Sequence, residues 1–185
     1  MPLTTRAILA NALRFQIGWF AAVLGAAHGR PGTGALLALA LAAWSLARAQ
    51  APRATLALIA LVTMVGGLWD SALGRWGGLR LQDAGAAGLA PAWIFCLWAL
   101  FATTLEVSLR WLQGRWALAT LLGAVAGPLA YWGGARLDAA RLEGPQTLAL
   151  IALGWAALLP CFIVAARRLA GRAVPAAGAD TEAAP

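Results

Sequence analysis

The chain has 185 residues, 62% of them hydrophobic and 11% charged, with a formal net charge of +7. A soluble domain carries about 25% charged residues, so a water-soluble fold is excluded, and the charge-free runs 32–47, 54–69, 92–105, 117–135 and 147–166 call for another solvent. The basic residues, all arginine, are scattered one or two per loop rather than gathered in a stripe as nucleic-acid binders gather them, so membrane lipids are the expected partners and no nucleic acid is.

A membrane-crossing helix needs about 20 mostly apolar residues. The apolar runs are continuous, not alternating, which argues against a β-barrel. The expected fold is therefore all-α: a polytopic membrane bundle of about six transmembrane helices forming one domain over 1–169. The first span is placed near 7–27 and ends at His28-Gly29-Arg30-Pro31-Gly32, where Pro and Gly signal a turn. Asn11, Arg14 and Gln16 break the apolar core that a cleaved signal peptide needs. The second and third spans fall near 33–48 and 53–74, with Pro52 as breaker between them. Residues 75–90 are Gly-rich and read as an interfacial connection anchored by Trp76. The fourth span opens at Pro91, a good first helical position, and is expected to reach about Gln113. The fifth lies near 115–135 and the sixth near 146–168, with breaks or kinks expected at Pro128 and Pro160. Residues 170–185 are Ala, Gly, Pro, Asp, Glu, Arg, Val and Thr, and read as a disordered tail.

With the amino terminus cytoplasmic, that side collects Arg6, Arg48, Arg53, Arg110, Arg115, Arg167, Arg168 and Arg172, and the far side Arg30, Arg75, Arg80, Arg136 and Arg141. The positive-inside rule then favours both termini in the cytoplasm.

Four ionisable residues, Arg14, Asp70, Glu106 and Arg110, interrupt spans that must sit in lipid. Each costs about 2.5–3.5 kcal/mol there even on the lenient insertion scale, so each is expected to face a partner or a cavity. Helical spacing places Asn11, Arg14, Gly18, Ala22 and Gly25 on one face of the first span. Thr63, Gly66, Gly67, Asp70 and Gly74 share a face of the third, and Cys96, Thr103, Glu106, Arg110 and Gln113 one of the fourth. Thr120, Gly123, Ala124, Gly127, Tyr131 and Gly134 share a face of the fifth. Small residues let helices approach closely in lipid, so spans one, three, four and five are expected to form the inner bundle, with two and six outside it.

Depth separates two clusters. One joins Asn11, Arg14, Glu106 and Arg110, with Glu106 and Arg110 paired at i,i+4. Its plain alternative is an ion-pair network that fixes packing. The other joins Asp70 to His28, Tyr131 or Arg75, and its plain alternative is a hydrated helix end. One His and one Asp are too few for a metal site, and no cofactor motif, phosphate loop or paired CxxC is present. The catalytic residues are unknown, with Asp70 and Glu106 as candidates for general acid or base. Of the ten Trp residues most lie near span ends as anchors, while Trp19, Trp98 and Trp155 lie deeper, where packing or a cavity lining is the choice. Gln16 points away from the polar stripe of its helix.

The string Asn11-x-x-x-Phe15-Gln16-x-Gly18-Trp19-Phe20, the pair Trp69-Asp70, the block Trp98-x-x-Phe101-Ala102-x-Thr104-Leu105-x-x-Ser108-Leu109-x-Trp111-Leu112 and the segment Gly127-Pro128-Leu129-x-Tyr131 resemble a family of small bacterial inner-membrane proteins of unknown function. The resemblance covers most of residues 8–165. It implies a multi-pass protein of the bacterial inner (cytoplasmic) membrane, often encoded beside methyltransferases of the cyclopropane-fatty-acid-synthase type. That neighbourhood implies a role in lipid modification or envelope stress, with a lipid-modifying enzyme as partner. The resemblance lends weight to Asn11, Gln16, Trp19, Asp70, Trp98, Thr104, Ser108, Pro128 and Tyr131. The functional expectation is a lipid or other amphipathic ligand bound among spans one, three, four and five through Asn11, Arg14, Gln16, Trp19, Asp70, Trp98, Glu106, Arg110 and Tyr131. A small secondary transporter and a structural subunit of a membrane complex stand as alternatives, and the absence of a clear internal repeat weighs against alternating access.

Overall fold

A computed structural model describes residues 4–85 and 88–172. The helices among them are α1 Thr5–Ala27, α2 Pro31–Ala47, α3 Pro52–Trp76, α4 Ala92–Leu105, α5 Trp116–Arg136 and α6 Pro145–Arg172. Two short strands, β1 Leu79–Leu81 and β2 Ala140–Leu142, follow α3 and α5. Local chemistry explains the starts. The Thr4 hydroxyl accepts from the Ala7 N–H at the head of α1. Proline occupies the first position of α2, α3 and α6 and directly precedes α4, where its missing N–H costs no helical bond. α6 reaches Arg172, into the stretch expected as tail, and residues 173–185 lie outside the described residues. α5 and α6 also continue through Pro128 and Pro160.

The surface is that of a protein in lipid. On α1 the exposed stripe is Leu9, Leu13, Ile17, Phe20 and Leu24, while Asn11, Gly18, Ala22, Val23 and Ala26 are buried. Large apolar side chains face out and small or polar ones face in, the reverse of a soluble helix. Four helices, α1, α3, α5 and α6, are long and apolar enough to cross a membrane. Arginines lie over tryptophans at both ends of the bundle: Arg48 on Trp44 and Arg115 on Trp111 at one end, Arg75 on Trp76 and Arg136 on Trp132 at the other. Amphipathic rings beside cations are the residues that settle at headgroup depth, so these pairs mark the two interfaces.

The arrangement of helices departs from the sequence reading. α4 is the centre: it packs on α1, α2 and α3 and touches α6. α2 is wedged against α1 and α4, and α6 against α3 and α5. α5 is the outer helix, and its glycine stripe serves α6: Gly123 and Gly127 lie directly against Trp155. α4 is also short, 14 residues or about 21 Å at 1.5 Å per residue. It does not reach Gln113. Turns and one 3₁₀ turn, Arg110–Leu112, complete the passage.

β1 and β2 pair antiparallel, Leu79 with Leu142, Arg80 with Arg141 and Leu81 with Ala140. Two arginines facing across a ladder repel, and the Arg80–Glu143 ion pair at 2.7 Å offsets this. The ribbon is tied down by the Trp93 indole N–H, which donates to the Gln82 carbonyl at 3.0 Å, and by Gln82 Nε2, which donates to the Asp138 carbonyl at 3.2 Å. It forms a lid over the bundle at the end where α3 and α5 finish.

Candidate functional site

Asp70 is the centre of the site. It sits on the buried face of α3 with Gly66, Gly67 and Ser71, and is 1% exposed. It lies six positions before the interfacial Trp76, about 9 Å of helix. Both carboxylate oxygens are engaged. Oδ2 accepts from the Trp98 indole N–H of α4 at 2.8 Å, and Oδ1 accepts from the Tyr131 hydroxyl of α5. Three helices thus meet on one carboxylate.

Trp98 is held in an aromatic cluster. It stacks on Trp155 of α6 at 4.9 Å between centroids and meets Phe101 and Phe162 edge-on. A bare backbone makes room for it: a Cβ on Gly66 would lie 2.1 Å from the Trp98 ring. The Trp155 indole N–H is buried and has no hydrogen-bond partner.

These groups line a pocket of about 90 Å³, several times the space one water needs. Its walls are Phe15, Trp19 and Val23 of α1, Trp93, Ile94, Leu97, Trp98 and Phe101 of α4, and Ala130, Tyr131 and Gly134 of α5. Trp155 closes the back, and Leu81, Ala139 and Ala140 of the ribbon close the top. α1 packs on α2 and α4, and α5 on α6, but α1 and α5 are scarcely in contact beyond Trp19 reaching Gly133. The pocket therefore lies in the seam between α1 and α5. Asp70, Tyr131 and the unpaired indole N–H of Trp155 are the polar groups of its lining residues, since the Trp93 and Trp98 N–H groups are spent on Gln82 and Asp70.

At the opposite end the polar residues form a clamp. Asn11, 2% exposed, donates from Nδ2 to the Thr103 carbonyl at 3.3 Å. Its Oδ1 accepts from the Ser108 hydroxyl at 2.7 Å and the Ser108 N–H at 3.3 Å. α4 ends at Leu105, and one side chain of α1 satisfies the Thr103 carbonyl that its end leaves open. Glu106 is the C-cap of α4 and accepts from the Thr55 hydroxyl of α3 at 2.8 Å.

The structure thus brings Trp19, Asp70, Trp98 and Tyr131 to one pocket, and leaves Asn11, Arg14, Gln16, Glu106 and Arg110 outside its lining. The expected Glu106–Arg110 pair is not formed, because α4 has ended and no i,i+4 geometry exists there; Arg110 is exposed. Arg14 is half-buried with an unpartnered Nε, and Gln16 is exposed. His28 does not approach Asp70; its Nδ1 bonds the Leu24 carbonyl at 2.8 Å and closes its own helix. Trp93, Phe101, Phe15 and the ribbon residues were not singled out for the site by sequence reasoning. The signal for the ribbon was Leu-Arg-Leu at 79–81 and Ala-Arg-Leu at 140–142, two short alternating triplets in the polar connections. Among the described residues no group of three His, Cys, Asp or Glu side chains is placed to hold a metal.

Residues 8–161 match the model of a family described as protein of unknown function (DUF2878). The chain belongs to this family. The DUF2878 match contains the whole pocket, from Phe15 to Trp155, and the Asn11 clamp. No curated protein and no solved structure matches the chain.

Proposed function

We propose that this DUF2878 protein holds an amphipathic molecule, acyl chain and polar group together, in the seam between α1 and α5. The observation that carries the reading is a buried carboxylate at the wall of an otherwise apolar, aromatic pocket. A pocket that is mostly apolar with a few convergent polar groups is the usual form of a small-molecule site. The acyl chain would lie along Phe15, Trp19 and Leu97, and the polar group would reach Asp70, Tyr131 and the open N–H of Trp155. Arginine counts support both termini in the cytoplasm of a bacterial cell, with the chain in the inner membrane and the pocket in the leaflet away from the cytoplasm. A lipid-modifying enzyme is the partner class that would use a ligand so presented.

A titration with a chain-brominated lysolipid tests this, with the protein in dodecyl maltoside and tryptophan quenching as readout. Gly134 lines the pocket, is buried, and a Cβ there meets nothing within 4 Å, so Gly134→Leu starts a bulky side chain in open space at the site. Saturable quenching in the wild type that is lost in Gly134→Leu is expected. Unsaturable quenching, equal in the two proteins, would remove the reading.

A further inference from the structure

We infer that the polar group this pocket selects is an alkylammonium: a protonated or methylated amine on a hydrocarbon chain. The inference rests on the pocket reading above and adds the class of ligand to it. The groups acting on the Asp70 carboxylate are two neutral donors, the Tyr131 hydroxyl and the Trp98 indole. The chain has 14 arginines, yet among the described residues no guanidinium pairs with Asp70; the ion pair formed is Arg80 with Glu143, on the ribbon. A carboxylate kept ionised inside a membrane bundle calls for a partner charge or a cavity. The place for such a charge is the pocket itself.

The walls suit the same charge. Trp19, Trp93, Trp98, Phe101, Tyr131 and Trp155 all line the cavity, and aromatic rings around a carboxylate are what bind ammonium groups, through the negative faces of the rings. Other heads fit poorly. A phosphate or sulfate would face Asp70 with no lining cation to offset it. A sugar would need more hydrogen-bonding atoms than Asp70, Tyr131 and the Trp155 indole supply. The site lies about 9 Å below the interface marked by Trp76, a depth that an ammonium group entering from the side, through the seam, can reach with its chain still in lipid. Two sources carry this chemistry, the ethanolamine head of a phospholipid and a free single-chain amine.

The test uses the full-length protein in dodecyl maltoside, whose micelles contain no ammonium. The brominated probe is displaced by ligands of one chain length and different heads: dodecylammonium, dodecyltrimethylammonium, dodecanol and dodecyl sulfate. The ammonium heads are expected to displace it at concentrations about ten-fold lower than dodecanol, and Asp70→Asn is expected to abolish that preference while dodecanol competes as before. The head-group series on the unaltered protein keeps the test valid if Asp70→Asn does not fold. Equal potency of all four heads, with all lost in Gly134→Leu, would overturn the ammonium inference and leave the pocket standing. Displacement indifferent to Gly134→Leu would remove both. Competition by phosphatidylethanolamine but not phosphatidylglycerol supports the inference with a lipid as source; competition by the single-chain cations alone supports it with a free amine.

Discussion

The two ends of this bundle hold their polar residues in different ways. At one end Asn11 spends its side chain on the end of α4 and the turn beyond it: a carbonyl of α4 and the N–H and hydroxyl of Ser108. These bonds tie α1 to the end of α4 and the turn that follows, outside the lining of the Asp70 pocket. At the other end Asp70 is held by two side chains, Trp98 and Tyr131, from two other helices, and forms part of a cavity wall. Between them the edge contact of Phe15 with Phe101, 6.0 Å between centroids, interrupts the polar residues with an aromatic layer. One cluster joins α1 to the end of α4, and the other forms part of a cavity wall. That separation also argues against a transport path joining the two.

The largest effect should come from Gly66→Val at the pocket end. The new side chain meets the Trp98 ring, and overpacking of this kind costs about 3 kcal/mol, read as a drop in unfolding midpoint in detergent together with loss of probe binding. Next is Asn11→Ala at the clamp. It strands the Thr103 carbonyl and the Ser108 donors, at a cost of about 2 kcal/mol, and probe affinity in the protein that remains folded should not change; a change would break the separation of the two ends. Tyr131→Phe removes a single bond to the carboxylate. A loss of about 1.5 kcal/mol in stability should accompany a several-fold shift in ligand affinity, so this variant, unlike Asn11→Ala, moves both readouts. The smallest effect belongs to Glu106→Gln, since the Thr55 hydroxyl can still donate to the amide oxygen. Stability should fall by less than about 1 kcal/mol, with binding untouched. A large binding defect here would restore Glu106 to the site.

Much of the frame was legible because it is written in local chemistry. Prolines at 31, 52, 91 and 145 open helices, and the long apolar runs give their lengths. The length of α4 was not legible: Val107, Leu109, Trp111 and Leu112 prolong its apolar pattern, and no Gly or Pro intervenes before Gly114. What accompanies its end is a contact from Asn11, 92 positions away at Thr103 and 97 at Ser108, which no window on the fourth span contains. Depth counting brought Asp70 to the level of Tyr131, since rise per residue is fixed. It also brought His28 there, wrongly, because depth says nothing of direction around the bundle, and His28 turns back on its own helix. The same blindness assigned the glycines of α5 to the inner bundle when they accommodate Trp155 of α6. Trp98 could be read as packing or as cavity lining, and it is both: stacked on Trp155 while its N–H holds Asp70.

The account stands on a ligand lodged in the seam between α1 and α5. Native mass spectrometry of the protein purified from its membrane, with and without Gly134→Leu, addresses this most directly. The account predicts a lipid-sized mass retained by the wild type and reduced about ten-fold or more in the filled variant, at equal stability. The same bound fraction in both proteins would contradict it.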